Sequence, residues 1–240
     1  PKNNYAIVAS TTGVSFDKKE AAAAIEGLEE GESKSISLKL TTANITTQNL
    51  EKNLFKDRLG GYSTNVAGTA ARINNVRLAS QHCNNTILLP GETFSYNEGV
   101  GQRTAARGFQ EAGAYLNGKT VQELGGGICQ YSTTLFNCAV LADLVIEERS
   151  PHSIPPAYVE KGRDSMINSG GPDLKLRNPT DYPMVILAQT QDDGQGQKRV
   201  TVELYGPPMG HTVSIESRVV RELPHTIVPE EVEDPGQVAP

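Results

Sequence analysis

PMVILAQTQDDGQGQKRVTVELYG, residues 183–206, is the run whose reading decides the class of fold. Two strand-like stretches, PMVILAQT and KRVTVELYG, flank the polar, glycine-bearing connector QDDGQGQ. That order predicts two strands folded back on one another as an antiparallel hairpin. DLKLRN just upstream predicts a further strand, as do VIEERS before it and HTVSIESRVV after it. The late part of the chain is therefore expected to be a mainly antiparallel sheet.

Working back towards the N-terminus, the pattern turns helical. CQYSTTLFNCAVLADL predicts a helix with Tyr131, Leu135, Cys138 and Ala142 spaced for burial. AARGFQEAGAYLNG predicts a short helix closed by Gly118, and TILLPGETFSYNEGVGQR predicts a strand, a Pro-Gly turn and a loop. NVAGTAARINNVRLASQHCNN is a strong helix signal, with Val66, Ala70, Ile73, Val76, Ser80 and Cys83 on one stripe and His82 solvated beside it. GGYST marks a break before it. The first segment predicts a strand at NYAIVAS, a helix from an Asp17 N-cap to a Gly31 C-cap, and a half-buried strand KSISLKLT carrying Ile36, Leu38 and Leu40 on one face. TTQNLEKNLFKD predicts another short helix. The sum is an α+β chain: a small N-terminal βαβ-like domain, residues 1–58, then a helical segment packed on a mainly antiparallel sheet, residues 59–212. Residues 213–240 form an acidic, proline-rich linker.

Charge narrows the partners. The net charge is −6, with eight basic and eight acidic side chains in residues 1–58, twelve and fourteen in 59–212, and two and six in 213–240. With no basic block, nucleic acid is not an expected partner. No apolar run reaches the roughly 18 residues of a membrane span, so contact with a membrane is expected only through an anchor outside this chain. The start at Pro1, without a charged-then-apolar leader, is read as that of an excised outer segment or mature fragment.

Three cysteines cannot close a disulfide framework. Cys129 and Cys138 lie on opposite faces of one predicted helix, about 13 Å apart along its axis, beyond the roughly 7 Å a disulfide allows between Cα atoms. No ligand spacing of the C-x-x-C kind is present, so no metal is expected, and GVGQR lacks the context of a dinucleotide loop, so no cofactor is expected.

GGGICQYSTTLFN, residues 125–137, carries the chemistry. Gly125, Gly126 and Gly127 permit a sharp turn and close approach of a ligand. Cys129 then falls in the first turn of a helix, where unpaired N–H groups and the dipole favour a thiolate and a lowered pKa. The N–H groups around Cys129 and Gln130 are candidates for holding an oxyanion. Of the four histidines, His152 in RSPHSIPP, stiffened by flanking prolines, is the candidate general base. Asp164, Asp173 or a backbone carbonyl would orient it, and sequence does not choose among them. Ser132, Thr133 and Ser153 are candidates for positioning substrate, although hydroxyls in a helix's first turn commonly bond locally. Packing alone would also account for a cysteine among glycines.

These same residues resemble the VanW family of bacterial envelope proteins, first named from a vancomycin-resistance cluster. The resemblance runs in order through YST (62–64), LLPGETFSYNEGVGQRT (88–104), GGGICQYSTTLFN, ERSPHSIPPAYVEKGRDS (148–165) and DLKLRNPTDYPMVI (173–186). Residues 1–58 resemble the wall-binding domain that often precedes VanW domains, and the tail resembles the approach to a further β module. Cys138 stands where the family usually has a small residue, and RDSM at 163–166 departs from a more common Asp-Ala-Thr-Val while keeping Asp164. The resemblance implies an extracellular, wall-associated L,D-transpeptidase acting on peptidoglycan stem peptides. Cys129 would be its nucleophile and His152 its base, while Arg103 would either bind a substrate carboxylate or be a surface residue. A cysteine L,D-carboxypeptidase and a non-catalytic wall-binding module are the competing readings.

Overall fold

The computed structural model describes residues 6–116, 119–192 and 197–221. In its first segment β1 (Gly13–Ser15), α1 (Lys18–Ile25) and β2 (Lys39–Thr41) follow one another, and the two strands pair antiparallel. The Asp17 carboxylate accepts from the N–H groups of Lys19 and Glu20, so the predicted N-cap stands. The helix ends earlier than predicted, at a Glu26 cap followed by Gly27 at φ +86°, which leaves Gly31 beyond it. Residues 6–10 of NYAIVAS form no strand, and Asn4 and Tyr5 lie outside the described residues. KSISLKLT is a strand only at its end, and Ile36, Leu38 and Leu40 are exposed rather than half-buried. A three-residue ladder offers no second layer against which that face could pack. The short helix α2 (Thr47–Asn53) completes the segment.

The larger body begins with β3 (Asp57–Val66), which runs straight through GGYST. The two glycines that suggested a break lie within a strand, because a Cβ on Gly60 would come within 2.6 Å of the Cys138 carbonyl. Glycine here lets a helix approach the strand backbone closely. Next come α3 (Ala70–Cys83), β4 (Thr86–Leu88), β5 (Thr93–Ser95) and the short helix α4 (Tyr96–Val100). Val66 ends β3 instead of opening the helix; Thr69 caps α3, which buries Val76, Ala79, Ser80 and Cys83.

The segment predicted as a helix closed by Gly118 is instead a short turn followed by a strand. A single 3-10 turn at Ala105–Arg107 ends on Gly108 in the left-handed region, and β6 (Glu111–Leu116) then pairs antiparallel with β7 (Lys119–Leu124). Gly118 lies outside the described residues. Alanine's helix preference is worth tenths of a kcal/mol per residue, and cross-strand pairing overrides it.

The long helix α5 (Cys129–Leu141) follows, with Tyr131, Leu135, Cys138 and Ala142 all fully buried as their spacing required. Beyond it lie β8 (Val145–Glu148), β9 (Lys175–Arg177), β10 (Met184–Asp192) and β11 (Lys198–Gly206). The hairpin pairs Val185 with Tyr205 through to Asp192 with Lys198. It forms the middle of a four-stranded antiparallel sheet in the order β3-β11-β10-β4, and β5-β9-β8 form a second, three-stranded sheet. Helix α3 packs on β10 and α5 on β3 and β11, so the core lies between the helices and the larger sheet. HTVSIESRVV forms no strand: residues 211–221 are irregular, with Val219 and Val220 exposed. A β-rich composition alone does not make a strand without a neighbouring edge to pair with. Among the described residues, no helix is long and apolar enough to cross a membrane.

Candidate active site

The loop that delivers the cysteine is built from glycines for two separate reasons. Gly125 and Gly127 have φ of +84° and +96°, where side chains are strained. At Gly126 a Cβ would sit 2.1 Å from the Ala112 carbonyl oxygen, so β6 can lie against the loop only if that residue has no side chain. Directly afterwards Ile128 opens α5, and its carbonyl accepts a hydrogen bond from the buried Tyr96 hydroxyl at 3.0 Å. Cys129 is thereby fixed at the first position of the helix, half-buried.

His152 arrives from the loop after β8. Its backbone N–H and its ring Nδ1 both bond Asp164 Oδ2 at 2.6 Å. An ionised carboxylate only accepts, so Nδ1 carries the hydrogen and Nε2 of the neutral ring keeps its lone pair. Asp164 is held in turn by Arg149, whose Nη2 lies 3.2 Å from Oδ1 and whose Nε donates to the Asp164 carbonyl at 2.6 Å. The Arg149 guanidinium rests on the Phe136 ring of α5, 5.2 Å from its centroid. Burial would raise the Asp164 carboxyl, but the two hydrogen bonds from His152 outweigh it and hold the group below the usual range.

Cys129 and His152 line one cavity of about 470 Å³, together with Arg72, Arg103, Glu123 and Tyr158 among others. The thiol donates to the Ile167 carbonyl at 3.5 Å. Its acidity is the reverse of the sequence expectation. Burial raises the Cys129 pKa above its ordinary value; the contact with Ile167 and the Arg103 charge pull the other way without prevailing, while Glu123 adds to the rise. Desolvation prevails because a sulfur anion set into the cleft wall gives up much of its hydration.

The other candidates divide clearly. Arg103 and Gly127 line the cavity, and Arg103 donates to Asn97 while its buried Nε has no partner among the described residues. The Gln130 side chain turns inward to bond Thr64, Asn65 and Arg72, and its N–H donates to the Gly127 carbonyl. Ser132 donates to the Ser165 carbonyl at 2.6 Å, and Thr133 accepts from the Ser165 N–H. Both are buried clamps between α5 and the Asp164 segment. Asp173 bonds Ser95 and the N–H groups of Asn97 and Leu174, away from the cavity, so Asp164 alone orients the ring. Ser153 is exposed and outside the cavity lining. His82 contacts Arg107, His211 contacts Asp143, and both histidines are exposed; His225 lies outside the described residues. Sequence reasoning passed over Tyr158, Glu123, Arg72 and Arg149. Only proximity in space marks them, since no local spacing joins them to the cysteine.

Among the described residues no group of three His, Cys, Asp or Glu side chains is arranged to hold a metal ion.

The family model described as "VanW like protein" matches residues 71–205, more than half of the chain. The chain belongs to the VanW-like family. That stretch contains every residue of the Cys129–His152–Asp164 arrangement. Curated relatives include "Uncharacterized protein YoaR" of Bacillus subtilis (strain 168), 38% identical over 133 residues. The match covers 55% of this chain and 44% of that protein. "Vancomycin B-type resistance protein VanW" of Enterococcus faecalis (strain ATCC 700802 / V583) is 33% identical over 127 residues, 51% of this chain and 46% of that one. The matched region thus spans less than half the length of either relative. No solved structure matches this VanW-like chain.

Proposed function

We propose that this chain is a cysteine acyltransferase of the cell wall, an L,D-transpeptidase that forms 3–3 cross-links between peptidoglycan stem peptides outside the cell. The observation that carries the proposal is the pair of groups on one cavity: a thiol at the start of α5 and an imidazole whose Nδ1 is bound to a buried carboxylate. A nucleophile, a base and an orienting third group are the parts acyl transfer needs.

Because the thiol is neutral in the free protein, His152 Nε2 takes its proton as the sulfur attacks, after the thiol leaves Ile167 and turns to the ring. The sulfur bonds the carbonyl carbon of an L-centre in a stem tetrapeptide. The N–H of Cys129, in the first turn of α5, is the donor proposed for the oxygen where negative charge develops. The imidazolium then gives its proton to the departing amine of the terminal D-residue, leaving a thioester. A side-chain amine of a second stem attacks the thioester, passes its proton through His152, and the sulfur leaves and recovers it. The family membership and the name of the enterococcal relative support an envelope substrate.

Incubation with disaccharide-tetrapeptide muropeptides, with products read by mass spectrometry, tests the proposal against Cys129→Ala. Cross-linked dimers that vanish in the variant are the expected result. Shortened monomers would assign a carboxypeptidase instead. Unchanged substrate that binds both proteins equally would leave a wall-binding module and end the enzymatic reading.

A further inference from the structure

A second cavity, of about 650 Å³, abuts the cysteine cleft. It shares three walls with the cleft: Arg72, Ala157 and Tyr158. Cys129 does not line it; the next residue, Gln130, does. Its other boundaries include Ser63 and Asn65 on β3 and Arg199 on β11. The two cavities differ in chemistry. The cysteine cleft mixes cations with the Glu123 carboxylate, whereas the second is lined, among the described residues, by hydroxyls, amides, two alanines and two guanidinium groups.

We propose that this second cavity binds a second stem peptide, the one that supplies the attacking amine; the inference rests on the transferase reading above. A transferase that ends with two chains joined must admit both to one carbonyl carbon, the acceptor from a side the donor does not fill. Here that side is the wall formed by Tyr158 and Arg72. Arg199 is exposed on β11, its Nε bonded to Asn65 Oδ1 at 3.1 Å, which fixes the plane of the guanidinium. A planar cation held in that way recognises a carboxylate with two parallel hydrogen bonds. The stem of an acceptor ends in one. Strand β3 is the outer strand of its sheet, so the cavity is bordered by a strand edge along which an extended peptide can lie. With the carboxylate on Arg199, the acceptor's amine reaches past Tyr158 to the thioester. The new C–N bond forms, the C–S bond breaks, and the amine proton returns to the sulfur through His152.

Two measurements test the assignment. In the inert Cys129→Ala protein, calorimetry with a stem tetrapeptide is expected to give two molecules bound per chain. Adding Arg199→Glu should reduce that to one, and Arg199→Lys should retain two with the weaker site at least threefold weaker still. A stoichiometry other than two, or two sites that survive Arg199→Glu with unchanged affinity, overturns the proposal. In the active protein, Arg199→Glu should lower the ratio of cross-linked to hydrolysed product at least tenfold; an unchanged ratio also overturns it. Two sites falling to one in a protein that never forms dimers would sink the transferase reading while the second peptide site stood.

Discussion

At the start of α5 the Cys129 thiol is subject to opposed influences, burial and Glu123 raising its pKa, Ile167 and the Arg103 charge lowering it. Burial prevails, so alkylation of Cys129 in the free protein should speed up steadily as pH rises through the alkaline range, with no plateau near neutrality. Cys83 and Cys138, both fully buried and pushed up to about 12, should stay unlabelled until the protein unfolds. Mass spectrometry of the alkylated protein against pH reads both outcomes; rapid labelling of Cys129 below pH 7 would contradict the structure. Asp164→Asn replaces one carboxylate oxygen by an NH2 donor, so the side chain no longer enforces the Nδ1–H tautomer of His152. If the proposed acyl transfer holds, the substitution should lower kcat by roughly 10²–10⁴-fold with little change in KM, measured with muropeptide substrates. The same carboxylate ties acid stability to this site. Its folded pKa is depressed, so its contribution is fully present above the unfolded value of about 3.9 and is lost as pH falls through the folded one. Urea melts across that range should show an acid limb that is shallower in Asp164→Asn than in the wild type.

Elements meet at two glycine contacts, and each can be tested by adding one methyl group. Gly60→Ala would set a Cβ 2.6 Å from the Cys138 carbonyl and 2.9 Å from the Ala142 N–H nitrogen, forcing α5 off β3. Both neighbours are backbone and cannot swing aside, so a loss of about 1–3 kcal/mol is expected in a denaturant melt. Gly126→Ala meets the Ala112 carbonyl and should displace the β6–β7 hairpin, which contributes Gly113, Ala114, Glu123 and Leu124 to the cavity wall. Its expected signature is a raised KM with a modest change in thermal stability. The motif GGGICQYSTTLFN was legible as a glycine turn running into a helix, because glycine and a helix start leave local marks. The hairpin was not, since EAGAYL has the composition of a helix and becomes a strand only through its partner.

Across the whole molecule, the first segment and the larger body hold together unequally. Among the described residues, none of the hydrogen bonds or ion pairs of residues 6–53 reaches past Lys56, and Leu38 and Leu40 remain exposed. Removing residues 1–53 should therefore shift Tm by no more than a few degrees, as read by circular dichroism; collapse of the remaining chain would refute this. The buried positions Val76, Ser80 and Cys83 of α3, the apolar face of α5, the strands of the 183–206 hairpin and the turn before Cys129 were legible in the sequence, whereas Val66 went to β3 and Ala70 to the surface. Each legible feature depends on period, caps or glycine within a dozen residues. His152 and its candidate partners were also named from the sequence, yet only tertiary structure chose Asp164 over Asp173. It alone turned Gln130, Ser132 and Thr133 into internal clamps and raised the thiol pKa instead of lowering it. Those outcomes follow from which groups share a buried space, and burial is set by the packing of segments far apart in the chain.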